Sequence, residues 1–176
     1  MFDDLRYPIG KFAMPEKVST EDRTRFIAIL RDLPAALKLA VTGLDHHQLA
    51  TPYREGGWTV AQVVHHLADS HMNSYIRFKL ALTEDQPTIK PYDENSWADM
   101  PDGKDIDVSP SLHLLEALHI RFVNMLNSLK HDDFQRTFIH PASNRILKLE
   151  TVLALYAWHS EHHLAHITHL RKRMHW

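Results

Sequence analysis

Four long stretches of this chain repeat their apolar residues every three or four positions. That spacing places apolar side chains on one face of an α-helix. The stretches cover residues 20–42, 60–82, 110–130 and 149–174, and the whole sequence contains only five glycines. An all-β protein needs more turn residues than this. We therefore predict an all-α fold, an antiparallel four-helix bundle.

Helix-start signals stand at the beginning of the first two stretches. Ser19 or Thr20 can cap the first helix. Thr59 and Gln62 have the spacing of a capping box in front of the second. Pro34 lies inside the first stretch and removes a backbone hydrogen-bond donor there. We expect it to kink or split that helix.

The segments between the helices differ in length and character. Residues 1–18 contain three glycine or proline breakers and are expected to form an extended N-terminal arm. Residues 83–109 are polar and are expected to form one long crossover loop. Residues 137–148 surround Pro141 and predict a short hairpin or extended connector. No repeat or linker divides the chain, so 1–176 is expected to be a single domain.

Charge and composition limit the classes of function. The 176 residues carry 20 Lys plus Arg and 22 Asp plus Glu, a net charge of −2 with histidine neutral. Nucleic-acid and anionic-membrane binding need a basic patch, so we expect neither partner. Cysteine is absent, so any thiol in the chemistry must come from outside the protein. A signal peptide and a membrane-spanning run are also missing from the sequence, so a cytoplasmic location is expected.

Histidine is the unusual residue, with 15 occurrences in 176 positions. In the fourth stretch His159, His163 and His166 lie on the apolar face, where a bundle would place Leu or Ile. A single histidine on such a face is usually a hydrogen-bonded core residue. Burying several unpaired imidazoles costs too much free energy without compensation. A divalent metal is the simplest compensation, and we interpret these residues as candidate ligands.

A metal site needs a further ligand from a facing helix, and the second stretch offers three histidines. At roughly 100° per residue, His65 points away from the apolar centre and towards solvent, which excludes it. His66 lies on a polar flank of that helix, and His71 lies close to the apolar centre. Helical phase alone leaves both His66 and His71 open.

Other catalytic motifs are missing from the sequence. It has no G-x-S-x-G elbow, no Walker loop and no H-E-x-x-H zincin motif. Glu161 stands one place too late for the zincin arrangement and is expected to face solvent or to contact another histidine. The remaining scattered histidines are expected to be ordinary surface or locally bonded residues: His46, His47, His113, His119, His131, His140 and His175.

Two longer motifs resemble the YfiT-type members of the DinB-like superfamily. They are residues 51–79 (TPYREGGWTVAQVVHHLADSHMNSYIRFK) and 155–167 (LYAWHSEHHLAHI). The runs RYPIG at 6–10 and PYDE at 91–94 are similar to the same group. The resemblance spans nearly the whole chain. It implies a four-helix bundle with a divalent metal held by three histidines.

The resemblance also implies which histidines are the ligands. In this family the first ligand lies eight residues after the tryptophan that opens the second helix, which corresponds here to His66 after Trp58. The other two ligands correspond to His159 and His163. One divalent metal per chain is implied, Zn²⁺ first and Ni²⁺ as a second choice. Homodimers are common in the family, so we expect a homodimer.

Three neutral imidazoles leave a divalent ion with an open coordination position, as in catalytic sites. Such an ion lowers the pKa of bound water to about 7 and deprotonates a bound thiol. The resemblance implies a metal-dependent hydrolase or a bacillithiol S-transferase. We expect the S-transferase, with a water-activating hydrolase as the alternative. A non-catalytic metal-binding or dimerisation module is the third reading.

Three residues are predicted to contact the small-molecule thiol or its electrophilic partner. Asn73 and Arg77 continue the helical flank on which His66 lies. Tyr92 stands in the long connection. The sequence does not identify a catalytic acid or base.

Overall fold

The computed structural model describes residues 5–176. Four long helices carry the fold, and shorter elements lie in the connections between them. In chain order the elements are α1 (Thr20–Val41), α2 (His46–Leu49), α3 (Val60–Thr83), α4 (Glu94–Ala98), α5 (Ser109–Ser128), α6 (His131–Phe134), β1 (Thr137–His140), β2 (Arg145–Lys148) and α7 (Leu149–Met174).

Local capping bonds explain why the helices begin where the sequence predicts. The Thr59 hydroxyl accepts the backbone N–H of Gln62, and the Gln62 side chain accepts the backbone N–H of Thr59. Ser19 and Asp22 form the same reciprocal pair at the start of α1. Each capping box satisfies two backbone donors that the helix itself cannot use.

Pro34 does not split the first helix. It lies inside α1, which runs unbroken from Thr20 to Val41, so the expected split is wrong. A proline cannot donate to the carbonyl four residues earlier, here that of Leu30. That carbonyl is hydrogen-bonded instead to Nδ1 of His119 on α5. A donor from a neighbouring helix therefore replaces the one that the proline lacks.

Helices α3 and α7 are antiparallel. In the bundle, α1 packs against α5 and α7, and α3 packs against the same two helices. Along α3, His66 is bonded to His159, and one turn later Ser70 is bonded to Tyr156. The residue number rises on one helix while it falls on the other. The two helices therefore run in opposite directions.

Helices α1 and α7 are parallel. At one end, Arg23 lies 3.7 Å from the Glu150 carboxylate. At the other end, Arg171 donates to the carbonyl of Ala40 at 2.8 Å. The residue number therefore rises on both helices together.

Helices α3 and α5 are also parallel. His65 is bonded to Ser111, and further along both helices Phe78 packs against Phe122. The connection between α3 and α5 must therefore return along the bundle, which explains its length. The predicted four-helix bundle with one long crossover is confirmed. Helices α3 and α7 are antiparallel, as are α1 and α5, whereas α1 and α7 are parallel, as are α3 and α5.

The predicted hairpin is present between α6 and α7. Strands β1 and β2 pair antiparallel, with Thr137 opposite Lys148 and His140 opposite Arg145. Thr88 in the crossover bridges to the hairpin at Ile139. The hairpin therefore fastens the crossover to the end of the bundle.

Two apolar clusters fill the bundle, and a polar layer separates them. On α3 the first cluster ends at Ala68 and the second begins at Phe78. On α7, which runs the other way, the second cluster includes residues up to Ala157, and the first cluster includes residues from Ile167 onward. The buried polar side chains between these limits are Ser70, His71, Ser74, Ser160, His162, His163 and His166. Several histidines therefore lie inside the bundle rather than on its surface.

The N-terminal segment packs against the histidine-rich part of α7. The backbone N–H of Gly10 donates to the carbonyl of Tyr7 at 2.9 Å and closes a turn. The carbonyl of Arg6 lies 3.1 Å from Nε2 of His166. The segment expected to be an extended arm, 1–18, thus turns over the helix, and its first four residues lie outside the described part of the chain. Within the described part, none of the helices has the length and apolar character needed to cross a bilayer.

Candidate metal centre

His66, His159 and His163 meet where α3 and α7 face each other. One ring nitrogen from each residue lies within 4.8 Å of the other two. Nε2 of His66 is 3.2 Å from Nε2 of His159. Tetrahedral nitrogen ligands at a zinc–nitrogen distance of about 2.0–2.1 Å lie about 3.3 Å from each other. The separation of these two nitrogens therefore fits two ligands of one ion.

Helix geometry and one aromatic side chain explain this arrangement. His159 and His163 are one turn apart on α7, and their ring centroids are 4.4 Å apart. Trp58 precedes the capping residue of α3, and its ring centroid is 4.6 Å from that of His66 and 6.3 Å from that of His163. The tryptophan thus packs against one histidine from each helix and limits the movement of both rings.

Burial keeps the clustered imidazoles neutral. It lowers the pKa of His66 to about 4, and repulsion from His162 acts in the same direction. Burial, followed by repulsion from neighbouring histidines, lowers the pKa of His159 and of His163 well below its usual value. Burial also lowers the pKa of His162 and that of His166 to about 4. At neutral pH these rings are in the uncharged form that binds a metal.

The three converging rings form a group that could hold a metal ion. Nε2 atoms of His66 and His159 are close enough for one neutral ring to donate to the other, but a third imidazole shares the same space. Nδ1 of His159 and Nδ1 of His163 are buried without a hydrogen-bond partner among residues 5–176. Unpartnered buried polar atoms cost free energy. A divalent ion bound through Nε2 of His66 and of His159 would use the lone pairs of those atoms, whereas Nδ1 of His159 would still need a partner of its own.

His65 is excluded as a ligand, but the prediction that it faces solvent is wrong. Its side chain is only 8% exposed. Nδ1 lies 2.8 Å from the Ser111 hydroxyl, and Nε2 lies 3.0 Å from the carbonyl of Asp105. The apolar pattern of α3 predicts that this face of the helix is exposed. In the structure, the crossover and α5 cover it. His65 therefore ties three segments together at a distance from the cluster.

The buried position of His119 was not predicted from the sequence. His119 was grouped with the surface or locally bonded histidines, but its side chain is 2% exposed and bonded to two other helices. One of its partners is His71, the second candidate that helical phase left open on α3. His119 stands four residues after Leu115 and three before Phe122, on the apolar face of α5. This spacing is the signal that could have identified it.

A cleft of about 350 Å³ opens onto the cluster. Arg6, Arg54 and Glu94 contribute charged side chains to its wall, beside His159 and His163. Burial raises the pKa of the Glu94 carboxyl, while the positive charge of Arg77 acts in the opposite direction. The cleft therefore gives a small molecule access to the histidines, and its charged wall was not predicted from the sequence.

The three predicted substrate contacts are not in the wall of this cleft as it is described. The Asn73 amide donates to the carbonyl of Asp69 at 2.9 Å on its own helix. The guanidinium carbon of Arg77 lies 6.0 Å from the ring centroid of Tyr92. Nε of Arg77 and the hydroxyl of Tyr92 are buried and have no hydrogen-bond partner in the described chain. Burial raises the pKa of Tyr92. Contact with a substrate stays a prediction for all three.

Fold and site together define a class of protein, a four-helix bundle with a three-histidine cluster facing an open cleft. The comparison with family models gives the particular family. The DinB superfamily model matches residues 22–167, and the chain belongs to this family.

Relatives and a solved structure agree with this assignment. The chain is 54% identical over 173 residues to the "putative metal-dependent hydrolase YfiT" of Bacillus subtilis (strain 168), covering 98% of this chain and 97% of that protein. It is 56% identical over 174 residues to a "putative metal-dependent hydrolase" of Bacillus cereus (strain 03BB102), covering 99% of each. A solved structure of YfiT from Bacillus subtilis superposes with a TM-score of 0.96 at 54% identity, covering 98% of this chain and 99% of that one. That structure is described as "a probable metal-dependent hydrolase with an unusual four-helix bundle topology".

These comparisons confirm the family and the four-helix bundle that the sequence motifs predicted. The names of the relatives, together with the three-histidine cluster, imply a metal. The names also support a metal-dependent enzyme in general terms.

Proposed function

We propose that this chain is a divalent-metal-dependent enzyme whose metal is held by His66, His159 and His163. The observation that carries the proposal is the convergence of these three rings from two helices at ligand distance. Their low pKa values keep them ready to bind. Imidazole ligands suit Zn²⁺, our first choice, and also Ni²⁺. Three protein ligands leave a position open for a substrate.

The reaction we favour is the transfer of a small thiol, bacillithiol, to an electrophile. A bound metal would lower the pKa of a thiol or a water molecule that coordinates it. The chain has no cysteine, so the thiol must arrive as a substrate. The cleft volume of about 350 Å³ falls within the range of small-molecule sites, about 300–1,000 Å³. The resemblance to the YfiT-type proteins supports bacillithiol as the thiol.

A metal-dependent hydrolase is the second candidate, with water in place of the thiol. The names of the relatives favour it. Glu94 favours it as well, because its carboxyl lines the cleft and burial raises its pKa. A carboxylate with a raised pKa accepts a proton more readily and can act as a general base. The third reading, a non-catalytic metal-binding or dimerisation module, does not explain the open cleft.

Arg77 and Tyr92 remain our proposed substrate contacts, together with Asn73. The unpartnered, buried polar atoms of Arg77 and Tyr92 support a role in binding a polar group. The Asn73 amide already donates to the carbonyl of Asp69. To bind a substrate through this group, Asn73 must exchange that bond for one to the substrate. A homodimer also remains part of the proposal.

Two chromogenic substrates separate the candidate functions. Zinc-loaded protein is incubated with an aryl halide, with and without bacillithiol, and in parallel with an aryl ester without thiol. Conjugate formation that requires both thiol and metal supports the transferase, whereas ester cleavage without thiol supports the hydrolase. His163→Ala should abolish either activity. His169→Ala, which changes an exposed residue of the same helix, is the matched control and should keep it. A fully metal-loaded protein that is inert in both assays would overturn the proposal of an enzyme.

A further inference from the structure

A line of hydrogen bonds leads through the polar layer from α1 towards the candidate metal centre. It begins at the carbonyl of Leu30, which Pro34 leaves without its usual helical donor. Nδ1 of His119 is bonded to this carbonyl. Nε2 of His119 is 3.0 Å from Nδ1 of His71. The line therefore joins α1, α5 and α3.

The chemistry of the first bond fixes the direction of the others. A carbonyl only accepts, so Nδ1 of His119 must carry the hydrogen. His119 and His71 are buried, and burial lowers the pKa of each, so both rings are neutral and carry one hydrogen. Nε2 of His119 is then an acceptor, and Nδ1 of His71 must be its donor. Nε2 of His71 is left with a free lone pair.

That lone pair is buried next to a candidate ligand that lacks a partner. His71 has 0% exposure, and its Nε2 has no hydrogen-bond partner within residues 5–176. The ring centroids of His71 and His159 are 5.6 Å apart. Nδ1 of His159 is also buried without a partner in the described chain. Each of these two adjacent rings thus has one buried nitrogen without a partner, and the nitrogen of His71 must accept.

Two other histidine pairs show that this separation is close to that of a direct bond. His66 and His159 have centroids 5.3 Å apart and nitrogens 3.2 Å apart. His71 and His119 have centroids 4.9 Å apart and nitrogens 3.0 Å apart. The two nitrogens are not bonded in the structure, so a direct bond between His71 and His159 requires one of the rings to rotate.

Tyr156 also lies beside His159, but its hydroxyl is already hydrogen-bonded elsewhere. The ring of Tyr156 lies 5.5 Å from that of His159. Its hydroxyl donates to the carbonyl of Ser70 at 3.1 Å and lies 3.3 Å from the Ser70 hydroxyl. Among the rings described around His159, only His71 offers a buried nitrogen that must accept.

We propose that His71 is a positioning residue whose Nε2 accepts the Nδ1–H of His159. This bond keeps the hydrogen of His159 on Nδ1 and leaves its Nε2 lone pair directed at His66 and at the metal site. In the metal-free protein, His66 must then be the donor in the short bond between the two Nε2 atoms. The consequence for metal binding rests on the proposed function. The hydrogen position in the metal-free protein does not.

Nitrogen-15 NMR of the imidazole rings in metal-free protein tests the hydrogen positions directly. We expect wild-type His71 and His159 both to carry hydrogen on Nδ1. In His71→Phe, the acceptor is gone, and His159 should shift towards the form with hydrogen on Nε2. His159 protonated on Nε2 in the wild type would overturn the proposal, and this result needs no variant and no metal.

Zinc affinity, measured by competition with a chromogenic chelator, tests the consequence. Loss of a partner that orients a ligand histidine costs about 10–100-fold in metal affinity, and we expect this loss in His71→Phe. His71→Gln should restore most of the affinity, because its amide can donate to His119 and its carbonyl can accept from His159. His65→Phe removes another buried, bonded histidine of α3 and should leave the affinity unchanged.

The possible results separate the two proposals. Equal losses in His71→Phe and His71→Gln would reduce His71 to a packing role and overturn the positioning proposal. Unchanged affinity in a folded His71→Phe protein would do the same. If wild-type protein does not bind zinc or nickel at all, the proposed function fails, while the hydrogen positions in the metal-free protein still decide the bond between His71 and His159.

Discussion

Acid should unfold the metal-free protein as its buried histidines are forced to take up protons. The usual histidine pKa of 6.5 is lowered to about 4 for His66, His162 and His166. Between these values the unfolded chain binds more protons than the folded chain. The free energy of unfolding is therefore highest above pH 6.5 and falls as pH drops from 6.5 to 4. Because the pKa values of His71, His159 and His163 are also lowered, the fall continues below that window.

The size of the effect follows from the lowered pKa values. One pKa unit corresponds to about 1.4 kcal/mol. The shift of the buried His66 therefore corresponds to a loss on the order of 3 kcal/mol across the window, and the more solvated His162 contributes less. Together the histidines remove several kcal/mol. Folded domains are stable by about 5–15 kcal/mol. The lost free energy is comparable with the whole stability, so unfolding before pH 4 is expected.

Urea unfolding in the presence of a chelator, followed by circular dichroism at a series of pH values, measures this loss. The slope of the unfolding free energy against pH gives the number of protons taken up. Between pH 6 and 5 we expect uptake of about three protons or more, because the pKa values of His71, His159 and His163 are lowered as well. His162→Gln should lower this number by about one, whereas His169→Gln, on the exposed side of α7, should not. A slope equivalent to less than one proton would refute the reasoning that these histidines are buried and neutral.

Three further predictions follow from the fold and the site. Zinc at 100 times its dissociation constant should stabilise the wild type by about 2.7 kcal/mol, seen as a raised Tm in a thermal shift assay, and should have no effect on His163→Ala. Arg77→Ala should raise KM in the conjugation assay if Arg77 contacts substrate, and unchanged kinetic constants would remove it from the binding site. Leu153 is fully buried, so Leu153→Ala should cost about 2–5 kcal/mol in urea unfolding, and a cost below about 1 kcal/mol would contradict its place in the core.

The helices could be predicted because their signals are local. Apolar spacing and capping boxes such as Thr59 with Gln62 act within a few residues of the chain. The split considered for Pro34 does not occur, and His119 bonds the Leu30 carbonyl from another helix, a contact that the local sequence does not reveal. His65 was misjudged for a similar reason, since the residues that cover it lie 40 and 46 residues away in sequence. Tertiary contacts decided both cases.

The candidate site was predictable in part. The spacing on one helix face indicated His159, His163 and His166 as candidates, and the family resemblance selected His159 and His163 from them. Helical phase could not choose between His66 and His71, because both lie on the side of α3 that faces the bundle, and the family resemblance made the choice. The charged wall of the cleft comes from segments without a periodic pattern, such as those carrying Arg6 and Glu94. No local signal placed them beside the histidines.

Metal content tests the central claim most directly. Tag-free protein and the variants His66→Ala and His163→Ala are analysed by plasma mass spectrometry after purification in the presence of zinc, beside His169→Ala as control. We predict one divalent ion per chain in the wild type and the control, and loss of the ion in both ligand variants. A wild type without metal, or a His66→Ala protein that keeps its ion, would contradict a site shared between α3 and α7.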